Sequence, residues 1–473
     1  MNSARLILPA LRWRPETGFA HEQAAIESTL RLGVGGYIVF GVPGATADQV
    51  RMLTADVRRQ AGRPLLVASD LERGAGQQAQ GLAEFPPPRA LATLGKDAVR
   101  GAARRTATDA ASVGINWVLA PDADLDLNPD NPIVQTRSFG EDPATVAAYV
   151  AEWVRGCQDT GSLACVKHFP GHGRTATDSH AGVPVVNATA DELHRVDETP
   201  FRAGIDAGVA SVMTAHIAFP NLDPSGAPAT FSAAILDRLH TSLGFGGLVV
   251  TDALIMEGAK SGRGEGESAV DAIRAGCDLL CYPNDPAAVK AALDAAIESG
   301  ALSRERLGDA LRRYEAALER ANRPRTESPL PAADPDEYAD RLLSAGMIRG
   351  EAPRLEWPIS LRVIDDDLGG AYPPGPNDYV ERAIAARGHA AGTGGARVIL
   401  AFAEPRASKG RAGFGAESRR ILEQEAPGAA LVVLFAHPRL LAEIPGNAPV
   451  LLAWHRQRLM QEAVGRWLVG GGG

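Results

Sequence analysis

The sequence feature that most constrains the fold is a regular alternation of short apolar runs with amphipathic helical stretches. Eight such runs occur within about the first 325 residues, and strands that alternate with helices form parallel sheets. Eight strand–helix units predict a (β/α)8 barrel, with an open doubly wound sheet as the competing architecture. The runs are RLILPAL (5–11), GYIVF (36–40), PLLVASD (64–70), INWVLAP (115–121), ACVKHF (164–169), ASVMTAHI (210–217), GLVVTD (247–252) and DLLCYP (278–283).

Polar residues follow five of the eight predicted strands and favour the barrel over the open sheet. Barrel enzymes gather their active sites at the carboxyl ends of the strands, whereas a purely structural barrel has no use for such a convergence. The residues are Asp70, Arg137 in the loop after the fourth strand, the pair Lys167 and His168, His216 and Asp252.

The chain beyond the barrel predicts a second, smaller α/β domain. The segment NRPRTESPLPAADPDE is rich in proline and charge, as linkers are. Three further buried-strand candidates follow it: RVILAFAE, ALVVLFAHP and PVLLAWH. We therefore place the catalytic barrel at 1–325, a linker at 326–340 and the C-terminal α/β domain at 341–473.

Charge and hydropathy exclude several classes of function. The net charge is −9 and no basic stripe is present, which argues against a nucleic-acid partner. No apolar run approaches the ~18 residues that a membrane span needs, and the N-terminus lacks the pattern of a secretory signal, so a cytoplasmic location is expected. The four cysteines, Cys157, Cys165, Cys277 and Cys281, are expected to be buried free thiols.

The stretch from Lys167 to His180 carries the densest chemistry, with three of the ten histidines within thirteen residues. A solvated polar loop is the simplest interpretation. A zinc site formed by His168, His172, Asp178 and His180 is a second, although the first strand supplies no ligand. The third is an acid–base dyad, in which the Asp178 carboxylate orients the His180 imidazole and raises its basicity.

Five segments together resemble the family 3 glycoside hydrolases, in particular the β-N-acetylglucosaminidase branch. The resemblance covers about residues 5–325, and the lysine–histidine loop with its Asp-Ser-His end is its most specific part. The C-terminal domain resembles only loosely the sandwich-like domain of many members. The segments are SDLERGAGQ, NPDNPIVQTRSFGEDP, VKHFPGHGRTATDSH, SVMTAHIAFPNLDPSGAPATFS and LGFGGLVVTDALIM.

The resemblance implies a role for each matching residue. Asp252 is the expected nucleophile, and His180 the general acid/base, oriented by Asp178. The remaining matches are expected to bind the sugar or line its pocket: Asp70, Arg137, Lys167, His168, His216 and Met256. The implied activity is a retaining exo-β-N-acetylglucosaminidase acting on peptidoglycan fragments or chito-oligosaccharides, with a small carbohydrate substrate, no cofactor, no metal, and no nucleic-acid or membrane partner.

Two departures from the family pattern bear on that expectation. Glu72-Arg73-Gly74 replaces the common Glu-Gly-Gly, and the arginine could narrow the entrance or contact an acidic leaving group. The Thr-Asp-Ala around Asp252 replaces the frequent Ser-Asp-Asp and leaves the nucleophile in place. A β-N-acetylglucosaminide phosphorylase, a β-glucosidase and a non-catalytic sugar-binding protein are the alternative functions.

Overall fold

The computed structural model describes residues 2–177, 182–260, 263–323, 333–367, 374–405 and 409–470. These residues divide into two compact units. The first comprises residues 1–84, 99–128 and 138–333, and the second comprises 85–98, 129–137 and 334–473. Two short segments of the N-terminal half, 85–98 and 129–137, thus group with the C-terminal residues.

The strands of the first unit form a parallel barrel, as predicted. Seven of them pair in chain order from β2 to β8, while β1 pairs with β9. A bridge between Val250 and Leu279 joins β8 to β9, and β1 and β2 are halves of one strand split at Pro9. The strands are β1 Ile7–Leu8, β2 Ala10–Arg12, β3 Gly36–Phe40, β4 Leu66–Ser69, β5 Trp117–Val118, β6 Leu163–Phe169, β7 Ser211–Thr214, β8 Leu248–Thr251 and β9 Leu280–Cys281.

Helices alternate with these strands, and several of them begin at side chains that cap their free amide groups. Thr46 and Gln49 form a reciprocal capping box at α2, and Asp142 accepts from Thr145 N before Pro143 opens α5. A π-helical turn at Leu193–Asp197 separates two of these helices. The helices are α1 Gln23–Leu32, α2 Ala47–Ala61, α3 Pro88–Leu94, α4 Lys96–Ser112, α5 Pro143–Gln158, α6 Ala190–Glu192, α7 Thr199–Asp206, α8 Ala233–Thr241, α9 Glu257–Lys260, α10 Glu265–Ala275, α11 Pro286–Glu298 and α12 Arg304–Ala321.

The second unit is built on a five-stranded sheet. Strands β11 to β14 are parallel, and β10 pairs antiparallel with β14 at the edge. The strands are β10 Met347–Arg349, β11 Ile359–Asp365, β12 Ala396–Ala403, β13 Leu431–Ala436 and β14 Val450–Leu452, with helices α13 Pro335–Ser344, α14 Tyr379–Ala385, α15 Ala416–Glu425 and α16 Arg458–Val469. The three predicted strands are present, whereas β10 and β11 were missed.

The two segments that come from the N-terminal half of the chain pack into this second unit. The ring centroids of Phe85 and Tyr338 lie 5.9 Å apart, and Ala90 is buried in the hydrophobic core of the unit. The Gln457 side chain donates a hydrogen bond of 2.7 Å to Phe85 O. The residues from 85 to 98 are therefore part of the C-terminal unit's core.

Within the described part of the chain, no helix combines the length and apolarity that a bilayer crossing requires.

Candidate active site

Lys167, two residues before the end of β6, is a buried lysine that holds two carboxylates. Lys167 Nζ lies 2.7 Å from Asp70 Oδ1 and 2.8 Å from Glu72 Oε1. The side chains of Lys167 and Glu72 are buried, while that of Asp70 is 30% exposed. Since a buried cation requires compensating charge, the two carboxylates balance the charge of the ammonium group near the end of β6. Asp70 thereby presents a fixed acceptor towards solvent.

The next residue, His168, is oriented by a fully buried carboxylate. His168 Nδ1 lies 2.8 Å from Asp124 Oδ2, and the backbone amides of His168 and His172 donate to Asp124 Oδ1 at 3.3 and 2.6 Å. Burial by itself raises the pKa of Asp124, but the neighbouring His168 and His172 lower it well below its usual range. Asp124 is therefore an anion that fixes the His168 ring and the loop behind it.

The loop after β6 packs closely against the segment that carries Asp124. A Cβ at Gly173 would lie 1.8 Å from Leu125 O, so only glycine permits this approach. Arg174 Nε donates to both Asp197 oxygens, at 3.0 and 2.9 Å, which ties the loop to the π-helical turn. Burial raises the pKa of Asp197 to about 6 although Arg174 lowers it. The predicted loop is therefore anchored at both sides, and its Lys167 end is buried, which excludes the solvated-loop interpretation for that end.

Strands β7 and β8 bring His216 next to the backbone of the predicted nucleophile. His216 Nδ1 lies 2.9 Å from Thr230 Oγ1, and His216 Nε2 lies 3.3 Å from Ala253 O. The Ala253 amide donates a 2.7 Å hydrogen bond to Asp252 Oδ1. Burial lowers the pKa of His216, and the Asp252 charge opposes that effect. Asp252 is partly exposed, and the Ala253 amide orients its carboxylate.

The carboxyl ends of β4, β6 and β8 face the same region of the barrel. Burial is the main cause that raises the pKa of Cys281 well above its usual value, and Asp252 and Asp70 raise it further. Lys167 acts on the same thiol in the opposite direction. Asp70, Lys167 and Asp252 stand at or near the carboxyl ends of three parallel strands of one barrel, and all three act electrostatically on the same thiol.

The remaining predicted site residues are placed differently. Asp178 and His180 lie outside the described residues. Arg137 ends the 3₁₀ turn Gln135–Arg137, which groups with the second unit, and its guanidinium donates to Ile133 O at 3.2 Å. Met256 is buried just before α9. The roles assigned to these residues stay predictions.

The side chains around Asp124 include the carboxylate and imidazole groups that cation sites use. Asp122, Asp124 and His168 each place one ligand atom within 4.8 Å of the others. Both Asp124 oxygens, however, already accept from protein donors, and the His172 ring nitrogen Nδ1 lies 2.8 Å from Thr175 Oγ1. These contacts describe a network that orients the histidines.

Sequence reasoning missed two residues of this site. Glu72 was noted only as part of a motif departure, yet it is the second carboxylate on Lys167. Asp124 stands in the acidic run PDADLD directly after a predicted strand, and that position was the available signal. Arg73, by contrast, lies 3.1 Å from Glu84 Oε1 through its Nη1.

Comparison with known proteins agrees with this arrangement. The profile of the glycosyl hydrolase family 3 N-terminal domain matches residues 8–316, which is more than half of the chain. A relative from Cellulomonas fimi, named β-N-acetylglucosaminidase/β-glucosidase, is 36% identical over 299 residues, or 61% of this chain. That match spans only 52% of the length of the Cellulomonas fimi protein.

Solved structures extend the similarity to both units. A family 3 β-N-acetylglucosaminidase from Paenibacillus sp. str. FPU-7 has a TM-score of 0.84 at 27% identity, covering 99% of this chain and 96% of that one. The β-glucoside phosphorylase BglX bound to 2FGlc has a TM-score of 0.83 at 22% identity, covering 99% and 91%, which shows a shared fold. The family resemblance predicted from the motifs is confirmed, and this chain belongs to glycosyl hydrolase family 3.

Proposed function

We propose that the chain is a retaining exo-β-N-acetylglucosaminidase that removes terminal β-linked GlcNAc from peptidoglycan fragments or chito-oligosaccharides. The observation that carries the proposal is that a family 3 member places Asp70, Lys167 and Asp252 at or near the carboxyl ends of parallel strands of one barrel, with Lys167 Nζ 2.7 Å from Asp70 Oδ1. The names of the Cellulomonas fimi and Paenibacillus proteins support the choice of sugar.

The proposed reaction uses two displacements at the anomeric carbon. Asp252 attacks that carbon, and the bond to the leaving oxygen breaks as His180 gives that oxygen its proton. His180 then takes a proton from water, whose oxygen displaces Asp252 and releases the sugar with net retention. Asp178 holds the His180 imidazole in the required tautomer throughout.

The neighbouring side chains suit the recognition of a fixed sugar. Asp70 is held by Lys167 and partly exposed, so it can accept from sugar hydroxyls without changing its position. His168 is held by Asp124 and has its other ring nitrogen available for a substrate contact. Charge-assisted hydrogen bonds from such groups strengthen discrimination between hydroxyl positions.

Two alternatives correspond to the names of similar proteins. The Cellulomonas fimi protein is also named a β-glucosidase, and BglX is named a phosphorylase. A panel of chromogenic β-glycosides of GlcNAc, glucose and xylose separates the first alternative, and we expect the GlcNAc substrate to have the highest kcat/KM. A preference for the glucoside would contradict the proposed sugar specificity.

The nucleophile is tested by substitution and by trapping. We expect Asp252→Asn to lower turnover by at least ~10³-fold with the fold intact, because the covalent step is lost. A fluorinated slow substrate should label Asp252, as shown by peptide mass analysis. Labelling of any other carboxylate would overturn the assignment.

The acid/base role is tested by varying the leaving group. His180→Ala should slow substrates with poor leaving groups far more than activated aryl glycosides, since only the former need protonation. Equal losses on both would assign His180 a structural role. Treatment with EDTA should leave activity unchanged, whereas inhibition reversed by zinc would restore the metal interpretation.

A further inference from the structure

Three strand ends carry no predicted site residue, yet they bear a connected group of side chains. Strands β2, β3 and β9 are neighbours in the barrel, and Arg12 is directly paired with Phe40 in the β2–β3 register. The Arg12 guanidinium carbon lies 4.8 Å from the centroid of the Phe40 ring and 4.9 Å from that of the Tyr282 ring. We call Arg12, Phe40 and Tyr282 the rim stack.

The rim stack is built to hold the guanidinium in one orientation. Arg12 Nε donates to the Tyr282 hydroxyl, and the two aromatic rings lie 5.6 Å apart. Tyr282 has a φ of +48°, an uncommon left-handed conformation for a residue other than glycine. Its amide donates to Leu8 O at 2.8 Å. Backbone strain of this kind persists where the surroundings impose it, and it is concentrated at functional sites.

Hydrogen bonds connect the rim stack to the strand ends that carry the candidate nucleophile. The Cys281 amide, next to Tyr282, donates to Thr251 Oγ1 at 3.0 Å, and Leu254 N donates to Cys281 O at 2.9 Å. Thr251 and Leu254 flank the Asp252 segment. On the other side, the Ser69 hydroxyl, next to Asp70, donates to the β3 carbonyl of Val39. The rim stack therefore lies between the Asp252 and Asp70 strand ends in the order of the barrel.

The partial exposure of the rim stack argues against a role in barrel packing alone. Leu11 and Cys281, which precede Arg12 and Tyr282, are 1% and 2% exposed, whereas all three members of the stack are partly exposed. In an exo-acting enzyme the terminal sugar occupies the depth of the pocket, where His168 and His216 are buried. A partly exposed group on the rim is therefore placed to meet the leaving group.

We propose that Arg12, held by Phe40 and Tyr282, is a specificity-determining residue that binds a carboxylate on the leaving group of the glycoside. The guanidinium fork matches a carboxylate with two parallel hydrogen bonds, and the ring faces can contact the apolar face of a sugar. This inference rests on the proposed function and adds the chemical class of the leaving group. It assigns the contact with the leaving group to Arg12 on the ground of its place at the end of β2 and its stacking on two rings.

The test compares 3-carboxyphenyl and 3-carbamoylphenyl β-N-acetylglucosaminides, which differ in charge at one position, at pH 7. We expect the wild type to prefer the carboxylate by about tenfold in kcat/KM, which corresponds to about 1.4 kcal/mol. In Arg12→Met the ratio should fall towards one, and Arg12→Lys should give an intermediate ratio because it keeps the charge without the planar fork.

The matched control is Arg14→Met. Arg14 lies two residues after Arg12, outside the stack, and its side chain is exposed, so the variant removes an equal charge. This variant should keep the wild-type ratio. If Arg12→Met does not fold, Tyr282→Phe replaces it, because it removes the hydroxyl that accepts from Arg12 and should reduce the ratio in part.

Each result decides the inference separately from the proposed function. Equal kcat/KM on the two substrates in the wild type overturns the role of Arg12 while leaving the glycosidase intact. A ratio that persists in Arg12→Met, or equal losses on both substrates with a lower melting temperature, also overturns it. Failure of the wild type on both GlcNAc substrates, with activity on a β-glucoside, contradicts the proposed function instead.

Discussion

Replacement of Asp124 by asparagine removes one charge from the centre of the histidine network. Asparagine keeps a carbonyl oxygen that can accept from the amides of His168 and His172, in place of Asp124 Oδ1. Its NH₂ group then faces His168 Nδ1, where a carboxylate oxygen now lies at 2.8 Å. The ring consequently loses a charged acceptor, and the amide donor favours the opposite tautomer, with the proton on Nε2.

The expected cost follows from the number of bonds lost and from burial. One hydrogen bond to a charged group contributes about 1.5–3 kcal/mol, and breaking a buried ion pair costs about 3–5 kcal/mol. Asp124 is 1% exposed, so we expect Asp124→Asn to lower the free energy of unfolding by about 1.5–5 kcal/mol. Second-sphere substitutions of this kind at metal sites cost ~10–100-fold in function, and we expect a similar fall in kcat/KM.

The pH dependence gives an independent check of the same prediction. The pKa of Asp124 is lower in the folded protein than the usual ~3.9 of the unfolded chain. Its contribution to stability is therefore present above about pH 4 and is lost as the pH falls towards the folded pKa. The difference between wild type and variant should shrink between pH 5 and pH 3.

Chemical denaturation and steady-state kinetics measure both effects. Asp206→Asn is the control, since it removes a charge from an exposed residue at the end of α7, and it should change neither quantity. An Asp124→Asn protein that keeps wild-type stability and kcat/KM within twofold would refute the positioning role.

Three further predictions concern stability and the acceptor. Arg456→Met should destabilise the C-terminal unit by about 3–5 kcal/mol, because Arg456 is buried and its removal leaves the Asp365 carboxylate uncompensated. The control Arg458→Met, at an exposed residue, should cost under ~1 kcal/mol. Equal melting curves for the two variants would refute the difference. Burial lowers the pKa of His216 in the folded protein, so the unfolded chain binds more protons below the ordinary histidine pKa of ~6.5, and stability falls as the pH drops below that value. His216→Gln should remove this part of the pH dependence of the melting temperature. An unchanged pH profile would contradict the prediction. A neutral His180 after proton transfer does not repel phosphate, so rising phosphate at fixed ionic strength should release some GlcNAc-1-phosphate beside GlcNAc; its complete absence at high phosphate would refute the charge argument.

The strand–helix alternation of the sequence determined the barrel. Each of the eight apolar runs contains a strand, because parallel strands buried on both faces read as continuous apolar segments. Strand β11 was missed since its exposed Arg362 and Val363 interrupt that signal at the sheet edge. The positions of Asp70, Lys167, His168, His216 and Asp252 at strand ends also followed from the sequence alone, as did the four buried free cysteines.

Tertiary structure alone decided which side chains meet. Glu72 joins Lys167, and Asp124 joins His168 across 44 positions of chain, through contacts that no local pattern encodes. The grouping of residues 85–98 with the C-terminal unit and the stacking of Arg12 on Tyr282, 270 positions away, arise in the same way. Local periodicity reports which face of an element is buried, whereas the partner on that face depends on how the barrel closes, and closure is a property of all its strands together.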